Sequence, residues 1–260
     1  MRTKYLRHDL LNAWQNAGLS TIVISCMPVW FFLVYQLVHL VFHSGFGVLP
    51  AGALGAAYIL AFILAVVFLP VQIYGRVTDK RPGSNWLLLP ASRFEKFFSI
   101  LLVTCVALPI VFCAVLIGSD YLMSLIFGSS YGGPVLATIF DRLGSILDEI
   151  HSDNVRLAFS GPYALYLSWC SNILFFTLGA IFFRKNKTVY TILSAFGIGL
   201  LITVVSGIFV ANGFDFNFEP GDINEDSLMR TVNAVLFIIY LVEFALLDLG
   251  IYFRVKTLKH

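Results

Sequence analysis

The stretch Gly52-Ala-Leu-Gly-Ala-Ala-Tyr-Ile-Leu-Ala-Phe-Ile-Leu-Ala-Val-Val-Phe-Leu-Pro-Val-Gln-Ile-Tyr-Gly75 carries no charged side chain and decides what solvent this chain is built for. An α-helix rises about 1.5 Å per residue, so a run of this length covers a hydrocarbon core roughly 30 Å thick. Comparable apolar runs lie on either side of it, at about 20–42, 97–127, 161–183, 188–211 and 231–253, making 52–75 the second of six. The sequence predicts an all-α, polytopic integral membrane protein with six transmembrane helices, an N-terminal interfacial helix over 1–19 and an outer amphipathic helix.

Composition supports the count of spans. With 58% hydrophobic and 12% charged residues and a mean hydropathy of +0.85, there is too little polar surface to cover a water-soluble globule. The longest hydrophilic connections, around 76–96, 129–160 and 212–230, are too short to bury cores of their own. Residues 1–260 are therefore read as a single transmembrane domain, and any soluble catalytic unit is assigned to a partner chain.

The net charge is only +2, but its distribution is one-sided. Arg2, Lys4 and Arg7 precede the first span; Arg76, Lys80, Arg81, Arg93 and Lys96 lie between the second and third; Arg184, Lys185 and Lys187 form a tight turn; Arg254, Lys256 and Lys259 follow the last. If six helices alternate, all four segments share one face, which the positive-inside rule makes cytoplasmic, with both termini inside. The opposite face is acidic, with Asp141, Asp148, Glu149 and Asp153 in one loop and Asp215, Glu219, Asp222, Glu225 and Asp226 in another. The expected location is an integral membrane position, the prokaryotic inner membrane.

Ser20 to Phe42 is longer than a signal-peptide core and no small-x-small cleavage pattern ends it, so it is read as a retained first span. Cys26, Cys105, Cys113 and Cys170 lie within spans at neither metal-ligand nor CxxC spacing, and are read as small buried side chains. No metal site is named.

Three connections have patterns of their own. Before the first span, Tyr5, Leu6, Leu10, Ala13 and Trp14 recur at helical spacing with Arg7, Asp9, Asn12 and Asn16 on other faces, and Gly18 offers a break before the membrane. Leu136, Ile139, Leu143, Ile146 and Ile150 form a second stripe, following Gly128-Ser-Ser-Tyr-Gly-Gly-Pro134, which reads as flexible turn chemistry. That stripe must rest on headgroups, on the protein's own spans or on a second copy. The acidic run Gly213 to Asp226 lacks the distal glutamate of a calcium loop and is read as solvated.

The base-rich loop Tyr74-Gly-Arg-Val-Thr-Asp-Lys-Arg-Pro-Gly-Ser-Asn-Trp-Leu-Leu-Leu-Pro-Ala-Ser-Arg-Phe-Glu-Lys96 is the most structured connection. Pro82-Gly83 is a turn signal, Trp86 to Leu89 is too short to cross a membrane, and Ser92-x-x-Glu95 matches a capping box at the start of the third span. An apolar segment held beneath the membrane needs something to bury against, either headgroups or a cytoplasmic protein.

The stretch Leu89-Pro-Ala-Ser-Arg-Phe-Glu-Lys96 directly before a span resembles a loop of six-span proteins related to ABC transporter permeases. The layout is similar to that of type-2 ABC exporter permeases, with an amphipathic N-terminal helix, both ends inside and a coupling helix between spans two and three. The resemblance implies that Asn85, Trp86, Leu87, Leu88, Leu89, Ser92, Arg93 and Phe94 dock on a separate cytoplasmic ATPase subunit. It also implies a homodimer, or a heterodimer with a similar permease. No GxxxxGK[ST] phosphate loop is present, so the chain is not expected to be an enzyme, and ATP and magnesium are expected in the partner. Membrane lipids complete the expected partners, and nucleic acid is not among them.

Charges inside the membrane are expensive and therefore informative. Glu243 lies near the middle of the last span, Asp248 five residues deeper, Asp120 near the outer end of span three, and His39 and His43 near the outer end of span one. On an ideal helix Glu243 and Asp248 point about 140° apart, so they do not form one carboxylate site. Glu243 either hydrogen-bonds a Tyr or Ser of a neighbouring span or serves a substrate or a proton; Asp248 is expected to pair with a base of the inner face. Two other functions stay open: a proton-coupled secondary transporter using Glu243, and a non-transporting membrane scaffold or sensor.

Overall fold

The computed structural model of the chain describes residues 3–43, 45, 47–78, 91–131, 162–211 and 225–257. Among these residues every regular element is helical. Helix α1 spans Thr3–Ser25, α2 Met27–His43 and α3 Ala51–Tyr74, which runs on into a 3-10 turn at Gly75–Thr78. Helix α4 spans Arg93–Leu101, a π-helical turn Leu102–Ala107 joins it to α5 at Leu108–Tyr131, and α6, α7 and α8 span Pro162–Phe182, Lys187–Ala211 and Glu225–Thr257.

Helix α3 lies at the centre because its buried side chains return every three or four residues. Leu54, Ala57, Tyr58, Ala61, Ala65, Leu69 and Ile73 form one continuous stripe. Against it α1 sets Asp9, Ala13, Ala17, Thr21 and Ser25, a buried row at strict i, i+4 spacing. Small side chains let the two backbones approach closely. The hydroxyls in that row turn back on their own helix, Thr21 to the Ala17 carbonyl at 2.8 Å and Ser25 to the Thr21 carbonyl at 2.7 Å, so the contact exposes no unpaired donor. Trp169, Ile173, Leu174 and Ile181 of α6 continue the core on another side of α3.

The outward faces are as apolar as the core. Leu19, Phe42, Leu125 and Phe196 are each at least three-quarters exposed. In water such a surface would drive association, whereas in hydrocarbon it costs nothing. Among the described residues, three helical stretches are long and apolar enough to cross a membrane: Gly52–Thr78, Arg93–Gly128 and Lys187–Val205. The pair Leu6–Ser25 and Met27–Phe42, bent by 44°, makes a fourth if taken as one span. Only 6% of the apolar window in α7 is buried, against 44% in each of the other two, so α7 packs on the bundle edge-on and presents most of its surface outward.

The N-terminal region differs from the sequence expectation. Gly18 does not break the helix; α1 continues through it to Ser25, and the bend falls at Cys26. Pro28 supplies the cause, since proline lacks the N–H that would close the preceding turn and its ring crowds that turn's carbonyl. Gly18 is instead covered by the Trp14 ring, whose nearest atom would stand 2.8 Å from an added Cβ. The separate surface-lying segment expected over 1–19 is therefore the first part of one long helix that packs along α3. Its polar residue Asp9, expected on an outward face, is buried, while Leu10 and Trp14 of the expected apolar stripe are exposed.

At the far end, the expected flexible turn after Gly128 is partly helical. Gly128 (φ 40°, ψ −107°) kinks α5, and the chain beyond folds back so that Tyr131 is buried. The segment Leu136 to Ile150, the acidic run 213–224 and Trp86 to Leu89 lie outside the described residues. The cysteines are free; Cys105 and Cys170 are buried as expected, whereas Cys26 is half-buried and Cys113 is exposed.

Candidate functional site

The loop singled out by sequence leaves α3 at Tyr74 and re-enters the bundle at Ser92, and one buried carboxylate holds both of its ends. Asp9 Oδ2 accepts a hydrogen bond from Ser99 Oγ at 2.6 Å and another from Tyr74 Oη at 3.3 Å. Tyr74 is the last residue of α3 and Ser99 lies two turns into α4, so Asp9 of α1 joins the elements on either side of residues 75–92. A buried carboxylate is costly unless its oxygens are satisfied, which makes the three residues one unit. Just outside it, Arg76 donates to Asn16 Oδ1 at 2.9 Å and Lys187 donates to the Gly75 carbonyl, so the start of the loop is also tied to α1 and α7.

The capping box read from the sequence is present. The Ser92 hydroxyl accepts from the Glu95 amide at 3.1 Å and the Glu95 carboxylate accepts from the Ser92 amide at 3.0 Å. Helix α4 then divides its surface, burying Lys96, Ser99 and Ile100 and exposing Arg93 and Phe94. Phe94 stacks over Phe98 with ring centroids 6.5 Å apart, and is 64% exposed. Asn85, Trp86, Leu87, Leu88 and Leu89 lie outside the described residues, so Ser92, Arg93 and Phe94 are the part of the expected docking segment whose position is known.

Asp120 does not stand alone near the outer end of its span. It is buried, and its Oδ1 accepts from Tyr131 Oη at 2.7 Å and from Tyr58 Oη; the two phenols lie 3.2 Å apart. The arrangement ties α3 to the middle and the last residue of α5, with Phe32 of α2 edge-on to Tyr131 at 5.1 Å. His39, expected near the outer end of span one, serves the α2–α3 connection, its Nδ1 lying 2.8 Å from the Gly45 carbonyl. Gln36 makes a reciprocal pair with Gly47 in the same connection, at 2.6 and 3.1 Å.

Two expectations for the last helix are corrected. Glu243 is exposed, between exposed Val242 and Leu246, and no Tyr or Ser of a neighbouring span among the described residues hydrogen-bonds it. The reason is rotational: among the described side chains of α8 the buried apolar ones are Leu247, Ile251 and Val255, and Glu243 is exposed. Asp248 is half-buried and does turn toward the bundle. Its Oδ1 is buried with no hydrogen-bond partner, so the expected inner-face base does not reach that oxygen. Arg254, the nearest base along α8, instead donates to the carbonyls of Ile181 and Phe182 at 3.1 and 3.3 Å, closing the end of α6.

The π-helical turn Leu102–Ala107 was not anticipated, although Pro109 signals it. Proline brings no N–H to the carbonyl four residues back, Cys105, and its ring crowds that turn. In an apolar medium a bare carbonyl costs several kcal/mol, about the figure expected for any unsatisfied backbone group there. Tyr166 of α6 supplies the missing donor, its hydroxyl lying 2.6 Å from the Cys105 oxygen. A Tyr166→Phe variant is expected to lose about 1–3 kcal/mol of stability, the cost of an unmade buried hydrogen bond. The midpoint of unfolding in detergent micelles measures it; an unchanged midpoint would mean the carbonyl has another donor.

The missed members of this arrangement left a signal. Asp9, Ala13, Ala17, Thr21 and Ser25 are spaced four apart, which marks a helix-packing face even where one of its residues is charged. No family model, curated protein or solved structure matches the chain.

Proposed function

We propose that the chain is a six-span integral membrane protein acting as the permease subunit of an ABC exporter, with residues 85–94 receiving a cytoplasmic ATPase subunit. The observation that supports this most directly is the way the 75–92 connection is anchored. Both of its flanks converge on Asp9, and the helix that follows starts on an intact capping box with Phe94 and Arg93 turned outward. A load applied to such a loop passes into α1, α3 and α4 together rather than being absorbed by a slack connection. The helix limits add support for six spans, since α6 at Pro162–Phe182 nearly coincides with the fourth apolar run and α7 at Lys187–Ala211 and α8 at Glu225–Thr257 enclose the fifth and sixth.

In this reading ATP and magnesium are bound by the partner, the assembly contains two permease and two ATPase subunits, and the base-rich end is cytoplasmic. Affinity purification of the full chain from native membranes, followed by mass spectrometry, tests it. An ATPase subunit should accompany the wild type and be lost in Trp86→Ala, with at least a tenfold reduction in Phe94→Ala, because large aromatics at the centre of an interface contribute about 2 kcal/mol or more. A wild-type sample free of any ATPase sinks the reading.

A further inference from the structure

A groove open along one side runs between α1 and the stretch that includes the π-helical turn and the first residues of α5. Small side chains make it concave: Ala17 and Gly18 on one wall and Ala107 on the other leave room beside Leu10, Trp14 and Val111. The interior is apolar. Its one hydroxyl, on Thr21, is already bonded to the Ala17 carbonyl at 2.8 Å, so the groove offers no free hydroxyl to a polar chain. Trp14 lies over Gly18, and half of its surface is free. From Leu10 to Thr21 the groove follows α1 for about 16 Å at 1.5 Å per residue, close to half of a hydrocarbon core roughly 30 Å thick. That is the depth of one leaflet.

A second, independent observation lies at the mouth of the groove. Arg7, Leu10, Trp14, Gly18 and Thr21 follow one another at steps of three and four, which puts Arg7 on the groove's face of α1, one turn nearer the base-rich end. Arg7 is exposed and has no hydrogen bond or ion pair among the described residues. A free cation beside an apolar slot of leaflet length matches an anionic head on an acyl chain. We propose that this groove holds one acyl chain of a membrane phospholipid whose phosphate lies at Arg7. The guanidinium offers two parallel N–H donors to the phosphate oxygens. Trp14, between the base and the small-residue part of the slot, stands where indole rings meet the headgroup layer. A base at this position also favours lipids of net negative charge. The inference rests on the membrane-spanning character of the chain and not on the permease reading.

The test is native mass spectrometry of the full-length protein, delipidated in a neutral detergent and offered equal amounts of phosphatidylglycerol and phosphatidylcholine. Wild type should retain one lipid per chain, with phosphatidylglycerol favoured about fivefold, the preference that one base near an anionic surface confers. Arg7→Gln, a change at an exposed position, should remove that preference while a lipid is still retained. Ala107→Leu and Val111→Phe fill the groove and should each reduce retention at least about tenfold, the worth of two buried methylene groups. Ile110→Phe, on the exposed surface outside the groove, should behave as wild type. Glycerol phosphate, which has no acyl chain, should not compete; displacement of the lipid by it would overturn the proposal. A wild type that retains no lipid, or retains both lipids equally, also overturns it. So does retention that is unchanged in both filled variants, including the case in which they dissociate a dimer instead and so assign the groove to a second copy.

Discussion

Replacing Asp9 by alanine is expected to cost about 2–4 kcal/mol, because it removes the acceptor of two buried hydrogen bonds, one from Ser99 and one from Tyr74. The loss is not confined to one helix. Asp9 is where α1, the end of α3 and the start of α4 meet, so its removal should free the two flanks of the 75–92 connection from each other. Asp9→Asn retains an oxygen at the same place and is expected to cost much less. The informative measurement is a double-mutant cycle with Ser99→Ala, read by unfolding in nanodiscs. If the three residues act as a unit, Asp9→Ala and Ser99→Ala together cost well under the sum of the two singles. Strict additivity would show that the contact carries no coupling and that the anchoring argument for the loop is wrong. Under the proposed function, Asp9→Ala should also lower transport-coupled ATPase activity of the assembly while leaving partner binding intact.

The second large effect is expected at Gly179. An added Cβ there would stand 2.8 Å from Thr191 Cβ and closer still to its Oγ1 and Cγ2. Real Cβ contacts are not that short, so one helix must move. Thr191 has no easy escape: it is buried, and its hydroxyl is committed to the Lys187 carbonyl at 2.7 Å. Nor can α6 and α7 slide apart freely, since only Phe183 to Asn186 joins them and Asn186 already takes a left-handed conformation (φ 45°) to make the turn. Overpacking of this kind costs about 1–3 kcal/mol, occasionally more, and Gly179→Ala should reach the upper end. Because Lys187 opens α7, the displacement should also pull its ammonium away from the Gly75 carbonyl. Thr191→Gly removes every clashing atom, so the double variant is expected to be more stable than Gly179→Ala alone, despite the cost of about 1 kcal/mol for a second glycine in a helix. A double variant no better than the single one would place the damage elsewhere.

The polar residues divide according to how local their partners are. The capping box at Ser92 and Glu95 was legible because both halves of the interaction lie within one turn, and the structure contains both hydrogen bonds. The limits of α3, α6 and α7 were legible for a related reason: apolar length and the charges that end it are properties of consecutive residues. Asp9 and Asp120 were misjudged or left without partners because theirs are distant in the chain, 90 residues away for Ser99 and 62 for Tyr58. Read alone, a charge on a basic amphipathic helix belongs to the solvent side; only the packing of α1 on α3 turns it inward. The π-turn is intermediate. Pro109 announced that a carbonyl would lose its donor, but which side chain would replace it depended on α6 lying alongside.

What the sequence determined by itself is the solvent and the secondary structure: uncharged runs the length of a membrane-crossing helix, the asymmetry of basic residues, and the local signals that begin or bend helices at Ser92, Pro28 and Pro109. These follow from the hydrophobic effect and backbone hydrogen bonding, which act on neighbouring residues. What the tertiary structure alone decided is the rotation of each helix about its axis. It turned Glu243 outward and Asp9 inward, set Gly179 against Thr191, and opened the groove between α1 and α5. Rotation escapes an apolar sequence because in hydrocarbon an outward-facing leucine and an inward-facing one differ little in transfer energy. The choice falls instead to small-residue packing and to the pairing of a few polar atoms between helices.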